Sequence, residues 1–343
     1  MARRRSEGRE SSIRDVARLA GVSTASVSRA LNLPHTVSPE TRARIVRATR
    51  KLDYVPNMAG RMLAAHRSWT VAAVVPTIQN DIFARGLEAI EARLDADGYT
   101  MLVGQTDYDP EREFRLTRTF IARGVDALIY MGASHLPRTY KALAARGLPI
   151  VNQGVYEPDS PHPSVGFDNR AAARLATRHL IDLGHRRIAM VAGIARHNDR
   201  ASGRIAGFRA ELAAAGIAEA PIVERPYSIA GGRDGLEALL AHHPSPSAIV
   251  CGNDILAFGA LFEARDRAIA VPRSLSIIGF DDLELCAHLR PSLTTIAIAT
   301  AEMGERAADY VLRRLSGEEP PRAIRIPISL CVRQSTARPG RDG

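Results

Sequence analysis

Two short apolar repeats separated by three residues set the start of this chain. Ile13, Val16, Ala17 and Ala20 recur at i, i+3, i+4 and i+7, the spacing that lines one face of a helix. Ser12, with Asp15 three residues on, gives a capping box with Asp in the Glu position, and Gly21 suits the left-handed residue that ends a helix. Ser23 then caps a second helix, Thr24–Leu31, whose inner side is Val27, Ala30 and Leu31. Ala20, Gly21 and Val22 leave only a tight turn between the two, which is helix-turn-helix spacing. A third helix follows, with Ser38 as cap, Pro39 at its first position and Glu40 near the positive end of its dipole. Ile45, Ala48, Thr49 and Leu52 face inward; Arg42, Arg44, Arg47, Arg50 and Lys51 crowd the remaining surface.

The charge sits in the same place. The chain carries 46 Lys+Arg against 37 Asp+Glu, a net +9. Residues 1–68 hold 14 basic and 5 acidic residues, so the whole excess lies there and the other 275 residues balance to zero. Residues 1–10 read as a basic disordered tail worth only +2; the rest of the excess falls on the helical pattern. Local cationic charge on a small ordered module is what a polyphosphate partner selects.

Other classes fall away. Hydrophobic content of 45% and charged content of 24% are ordinary for a globular chain. No apolar run is long enough to span a membrane, and the N-terminal arginines precede no apolar stretch, so a cytoplasmic protein is expected. Cys251, Cys286 and Cys331 are too far apart in sequence for a zinc motif or a disulfide framework.

In a helix-turn-helix the second helix enters the major groove with its N-terminal residues against base edges. Those residues are Ser23, Thr24, Ala25, Ser26 and Ser28, with Arg29 one turn on. Arg29 suits a bidentate pair with guanine O6/N7, and the Thr24 or Ala25 methyl suits a thymine methyl. Short hydroxyl side chains let the helix approach closely and reach phosphates.

Here the sequence resembles a known family. The run Ile13–Asn32, then Val37-Ser38-Pro39-Glu40-Thr41-Arg42 and Leu52-Asp53-Tyr54-Val55-Pro56-Asn57, looks like the head-piece of the lactose/galactose repressor (LacI/GalR) family of transcriptional regulators. The resemblance implies that Asn57 opens a hinge helix, Met58-Ala59-Gly60-Arg61-Met62-Leu63, which forms on operator DNA and pairs with its dimer mate in the minor groove. Asn57, Arg61 and Leu63 join the expected DNA contacts, Leu63 as the wedge between central base pairs. Gly60 departs from the alanine usual in the family and costs about 1 kcal/mol of helix propensity.

From Trp69 onward, short apolar runs alternate with helical patterns. Expected strands are Val71–Val75, Thr100–Gly104, Ala127–Tyr130, Ile150–Asn152, Ile188–Val191, Ala248–Cys251 and Ser276–Ile278. Expected helices are Phe83–Asp95, Pro110–Ala122, Leu136–Ala145, Arg170–Leu183, Arg204–Ala215, Gly232–Ala241 and Ile255–Ala268. Such alternation means parallel sheets with right-handed crossovers, and the length favours two βα subdomains over one. Val125-Asp126-Ala127-Leu128-Ile129, Leu183-Gly184-His185-Arg186-Arg187-Ile188-Ala189, Cys251-Gly252-Asn253-Asp254, Gly279-Phe280-Asp281-Asp282 and Arg290-Pro291-Ser292-Leu293-Thr294-Thr295-Ile296 resemble the same family's regulatory domain. That implies an all-α helix-turn-helix head-piece followed by an α/β periplasmic-binding-protein-like body of two Rossmann-like subdomains. The expected division is a tail over 1–10, a DNA-binding domain over 11–55, a hinge and linker over 56–68 and an effector-binding, dimerising domain over 69–338. Within it, 69–167 with 298–325 form one subdomain and 168–297 with 326–338 the other.

Ligands of such folds bind beyond the carboxyl ends of strands, in the cleft between subdomains. Arg204 opening a helix, and Asn253 and Asp281 after strands, offer the mixed donors and acceptors a hydroxylated ligand needs. Each alone also reads as a cap or a surface residue. The resemblance makes these three effector contacts and gives Phe83 the position that packs on the ligand. Gly154 stands where aspartate is frequent, Asp81 where proline is, and Ile82 where an aromatic stacks. The effector expected is a sugar, sugar acid or related metabolite, and Arg196, His197, Asn198 and Arg200 add positive character that points to an anionic sugar or sugar acid. No cofactor is expected.

An enzyme on the same scaffold is disfavoured: the chain has no dinucleotide, P-loop, nucleophile-elbow or zincin motif, and His242-His243 lies in a Pro/Ser loop. A soluble sugar receptor fits the body alone but not the basic head. The expected protein is therefore a homodimeric regulator, a repressor in sense, on a palindromic operator. The end of the chain carries no heptad tail of the kind that builds tetramers.

Overall fold

The computed structural model describes residues 11–32, 36–55, 67–218, 220–242 and 245–340. The chain divides into two compact units between Ser68 and Trp69. Asn57, Gly60, Arg61 and Leu63, the expected hinge residues, lie outside the described residues.

In the first unit three helices enclose a small core: α1 (Ile13–Ala20), α2 (Thr24–Asn32) and α3 (Pro39–Lys51). Ser12 closes its capping box with Asp15, donating from its backbone N–H to Asp15 Oδ2 at 3.0 Å, and Gly21 ends α1 with φ +64°. Val16, Ala17 and Ala20 of α1 meet Val27 and Ala30 of α2 and Ile45 and Ala48 of α3, with Val16, Val27 and Ile45 fully buried. Each such branched side chain contributes about 1.5–3 kcal/mol by leaving water, which is how a unit this small holds its shape.

The second unit is built on two six-stranded sheets. The first contains β1 (Thr70–Val75), β2 (Thr100–Gln105), β3 (Ala127–Met131), β4 (Ile150–Gln153), β5 (Ser164–Gly166) and, from far along the chain, β11 (Ala323–Arg325). Its order is β11-β5-β4-β3-β1-β2, all parallel. The second contains β6 (Ile188–Gly193), β7 (Ile222–Arg225), β8 (Ala248–Cys251), β9 (Ser276–Asp281), β10 (Thr294–Ile298) and β12 (Ile328–Cys331), in the order β12-β10-β9-β8-β6-β7. Only β12 runs antiparallel, against β10. The central strands β1, β6, β8 and β9 are buried on both faces because helices cover both.

The covering helices are α4 (Asp81–Ala96), α5 (Pro110–Ala122), α6 (Pro137–Ala144), α7 (Asn169–Asp182), α8 (Asp199–Ala214), α9 (Ile229–Leu240), α10 (Asp254–Asp266), α11 (Leu285–His288) and α12 (Thr300–Leu315). Three crossings join the sheets: β5 to β6, β10 through α12 to β11, and β11 to β12. Helix α12 returns to the first sheet and packs on α4. There a Cβ on Gly304 would lie 2.5 Å from the Gly86 carbonyl, so only glycine allows the approach.

Five strands and one long helix of this body are missing from the sequence expectations. β5 and β11 are three residues long, β7 and β12 are half-exposed edges, and β10 buries Thr294 and Thr295 where apolar residues are expected. Helix α12 is legible in the sequence, since Met303, Ala307, Ala308, Tyr310 and Val311 fall on one buried face at helical spacing, yet it is not among the expected helices. The helix expected to open at Arg204 instead opens at Asp199, capped by Asn198, because the Asn198 side chain accepts from the Ala201 N–H at 3.3 Å.

Candidate functional site

Two surfaces carry functional chemistry. On the first unit, Ser23, Thr24, Ala25 and Arg29 are exposed along one edge of α2, while Val27 and Ala30 anchor its other side. Ser28 is half-buried. The Ser23 hydroxyl accepts from the Ser26 N–H at 3.1 Å and contacts the Ser26 hydroxyl at 2.9 Å, so it fixes the start of the helix. Arg42, Arg47, Arg50 and Lys51 stand exposed on α3, with no ion pair among the described residues. Arg44, read with them from sequence as a free surface cation, is used differently. Its guanidinium donates to the Ala20 carbonyl (Nε, 3.1 Å) and the Gly21 carbonyl (Nη2, 3.0 Å), closing the C-terminus of α1.

On the second unit a cavity opens between the sheets. Its lining comes almost wholly from the carboxyl ends of strands and the segments directly after them, where open α/β sheets place their ligands. Asn80, Ile82 and Phe83 follow β1; Tyr108 follows β2; Met131 ends β3; Gln153 ends β4 and Gly154 follows it; Phe167 follows β5. From the other sheet come Asn198, Arg200 and Arg204 after β6, Tyr227 after β7, Asn253 after β8 and Asp281 at the end of β9. Ile298, Thr300 and Met303 come from the crossing into α12. Phe83, Arg204, Asn253 and Asp281, picked from sequence, thus line one cavity. A wider outer cleft, lined by Ile194, Arg196 and His197 among others, shares Asn80, Tyr108 and Tyr227 with it.

Arg204 is the most constrained of these side chains. It is 8% exposed, one turn into α8. Its Nε donates to Asn169 Oδ1 at 3.0 Å, its Nη1 donates to the Gly252 carbonyl, and its guanidinium carbon lies 3.9 Å from the centre of the Phe280 ring. Asn169 in turn donates from Nδ2 to the Gly154 carbonyl at 2.9 Å, joining the second sheet's arginine to the first sheet's wall. Asp199 makes a second link across the cleft by accepting from the Ala133 N–H at 2.5 Å. Arg200, beside it, pairs with Asp199 at 2.9 Å and also bonds Tyr108, whose phenol burial pushes up to about 12 against the pull of both arginines.

Asp281 is buried with φ at +119°, a conformation costing a non-glycine residue about 1–3 kcal/mol. Burial drives its carboxyl far above the ordinary range, with Arg204 opposing and Asp254 reinforcing. Its strand is held from behind by Asp254, wholly buried, which accepts from the Phe280 N–H (2.7 Å), the Leu283 N–H (2.9 Å), the Thr295 hydroxyl (2.7 Å) and the Cys286 thiol (3.1 Å). Asn253 lines the cavity and also caps α10, accepting from the Leu256 N–H at 3.0 Å, so the capping and cavity readings of this residue hold together.

Sequence reasoning missed Gln153, Tyr108, Tyr227, Asn169 and Thr300. Gln153 was reachable: it is the next residue after an expected strand end, where cavity residues belong. Its Nε2 is buried and has no hydrogen-bond partner among the described residues. Tyr227 and Thr300 follow β7 and β10, strands the pattern does not show.

Comparison with known proteins agrees with this division. Residues 12–57 match the profile of bacterial regulatory proteins, lacI family, and residues 177–336 match a periplasmic binding protein-like domain. The HTH-type transcriptional repressor CytR of Escherichia coli (strain K12) is 33% identical over 328 residues, 94% of this chain and 96% of the relative. The structure of a Lac repressor dimer bound to operator and the anti-inducer ONPF matches with a TM-score of 0.86 and 27% identity, covering 96% of this chain and all of that one. A complex of the transcriptional regulator CelR with cellobiose matches with a TM-score of 0.70 and 27% identity, over 95% and 99% of the two chains.

Proposed function

Because the chain belongs to the lacI family of bacterial regulatory proteins, we propose that it represses transcription as a homodimer on a palindromic operator, under control of a sugar or sugar derivative bound between its two sheets. The observation that carries this reading is the exposed edge of α2, with Thr24, Ala25 and Arg29 outward, within the first 68 residues that hold the chain's entire positive excess. Small side chains allow close approach to base edges, Arg29 supplies the one long donor fork there, and the cations of α3 grip phosphate without reading sequence.

Two-fold symmetry of the dimer requires two-fold symmetry of the site read. The Lac repressor structure bound to operator is a dimer, and the present chain spans its whole length. Asn57, Arg61 and Leu63 supply the minor-groove part of the contact in this proposal, with Leu63 as the wedge. Phe83, Arg204, Asn253 and Asp281 hold the effector, the class of ligand for which the CelR complex with cellobiose is a precedent. The links Asn169–Gly154 and Asp199–Ala133 cross the cleft, so a ligand between the sheets changes the free energy of closing them. Operator and effector affinities are then coupled reciprocally. The reading places the protein with the DNA, in the cytoplasm.

A soluble receptor uses the same body but leaves the head unexplained. The two readings separate on selection from random duplex DNA, followed by binding measured by fluorescence anisotropy. A palindrome whose affinity shifts with ligand, and whose shift is lost in Arg204→Ala, supports the proposal. Indifference to DNA sequence overturns it.

A further inference from the structure

Two neighbouring residues at the start of α8 reach from the second sheet's side of the cleft into the wall of the first. The Asp199 carboxylate divides its oxygens between the two sides. Oδ2 accepts from the Ala133 N–H at 2.5 Å across the cleft, while Oδ1 accepts from the Arg200 backbone N–H and from Arg200 Nη1, both at 2.9 Å. The Arg200 side chain, buried, runs past Gly154 and ends against Gly132. A Cβ at Gly132 would sit 1.9 Å from Arg200 Nη1, and one at Gly154 would sit 3.4 Å from Arg200 Cδ; both glycines have positive φ. The first sheet thus presents a notch beyond the ends of β3 and β4, and it admits the arginine because neither glycine carries a side chain. The Tyr108 phenol, in the loop after β2, bonds the same guanidinium.

The notch is braced independently of what enters it. The Gly132 N–H donates to the Gln153 carbonyl at 2.8 Å and the Gly154 N–H to the Val165 carbonyl at 2.9 Å, which ties together the ends of β3, β4 and β5. From behind, His135 Nε2 donates to the Gly132 carbonyl at 3.0 Å and the Tyr140 hydroxyl to the Ala133 carbonyl at 3.3 Å. His135 is itself held by Glu113 of α5, Nδ1 to Oε1 at 2.8 Å. A receptor fixed in this way loses little freedom when a partner docks. Opening the cleft, by contrast, breaks a hydrogen bond to a charged oxygen and draws the arginine out of a fitted space.

All of these contacts are made by the protein with itself. We propose that Asp199 and Arg200 form a latch that holds the cleft shut from within, so that the two sheets are drawn together before a ligand binds and a ligand enters through transient opening. A ligand that fits the closed cleft binds in proportion to the fraction already closed, so the latch raises affinity while slowing entry. Asp199 is not among the residues that line the cavity, which separates its role from ligand contact. The latch goes beyond the repressor reading and stands whatever the cavity binds.

The test reads opening directly, with no ligand added. Met303 lines the cavity and is buried. In the full chain carrying Met303→Cys and Cys331→Ser, the thiol at position 303 is modified by N-ethylmaleimide when the cleft opens. Cys251, wholly buried in β8, reports global unfolding in the same sample, and peptide mass spectrometry resolves the two sites. Adding Asp199→Ala should raise the rate at position 303 by about ten- to a hundred-fold, the factor carried by one hydrogen bond to a charged group, with the rate at Cys251 unchanged. Gly132→Ala, which fills the notch, should raise it as well. Arg233→Ala, which removes an exposed pair with Asp266 at 2.7 Å between α9 and α10, should leave it unchanged. An equal rate at position 303 with and without Asp199 overturns the inference. A rise at position 303 matched by an equal rise at Cys251 also overturns it, because Asp199 then supports the fold and not closure. Ile298→Cys, on the same cavity wall, repeats the measurement from a second position.

Discussion

The Arg44 guanidinium donates to the Gly21 carbonyl at 3.0 Å, tying the third helix of the head to the turn between the first two. A Cβ at Gly21 would lie 2.8 Å from the same nitrogen, so the turn residue is small for its neighbour as well as for its φ of +64°. The cation thus satisfies carbonyls that a helix end leaves open and opposes the negative end of the α1 dipole.

Arg44→Ala should therefore lower the stability of the head by about 1.5–3 kcal/mol, the range for hydrogen bonds to a charged group. It should change the salt dependence of DNA binding little. Arg47→Ala, on an exposed arginine of the same helix, should do the opposite: little loss of stability, and a salt slope smaller by about one phosphate contact. Thermal melts and a salt titration of each variant separate the two roles.

Arg29→Ala should weaken operator binding by about 1–3 kcal/mol and relax preference at one base position per half-site. Binding to a set of operators substituted singly at each position is the measurement. Base preference equal to that of the unmodified chain would remove Arg29 from the reading face.

The head was legible in the sequence because its devices are local. Ser12 and Asp15 meet three residues apart, and Gly21 directly follows the helix it ends. Arg44 was misread for the converse reason: its partners lie 24 and 23 residues away, and nothing short of helix packing reveals which way the side chain runs. The cavity divides in the same manner. Arg204, Asn253 and Asp281 are placed by the rule that strand ends face the ligand, Phe83 by the family resemblance, and the four line one space. Asn169 is unreadable from sequence, because its role depends on β4 and α8 being brought to either side of it. β5 and β11 were lost because three residues carry no period, and β7 and β12 because an exposed edge carries little apolar signal.

Asp254→Asn should destabilise the body by about 2–3 kcal/mol although the two side chains are nearly isosteric. One of its two acceptor oxygens becomes an NH2, which faces either the Phe280 N–H and Thr295 hydroxyl or the Leu283 N–H and Cys286 thiol, donor against donor. The pH dependence carries a sign. Burial raises the Asp254 carboxyl from its ordinary 3.8 to about 6. A raised acid stabilises the folded state below its unfolded value, and that contribution is lost as pH climbs through the folded value. The deficit of the variant should accordingly narrow between about pH 4 and pH 6. Urea midpoints across that range read it, and a deficit that widens would reverse the assignment.

Gly132→Ala should disable the ligand site while leaving the sheets intact. Gly132 directly follows β3 at φ +89°, a region where alanine is strained, and its added methyl would lie 1.9 Å from Arg200 Nη1 and 2.7 Å from Asp199 Oδ1. Arg200 must then withdraw. Since Asp199 also accepts from the Ala133 N–H at 2.5 Å, the displacement strikes one of the two links across the cleft as well as the arginine. Ligand affinity should fall by at least about ten-fold, equivalent to losing about 1.4 kcal/mol of contact. The circular dichroism of the body should stay unchanged, because no strand residue moves. Gly98→Ala is the control: it too has positive φ, +74°, but nothing lies within 4 Å of the added methyl. It carries the backbone strain without the collision, so equal loss of ligand binding in both variants would show that strain, and not the clash with Arg200, is responsible.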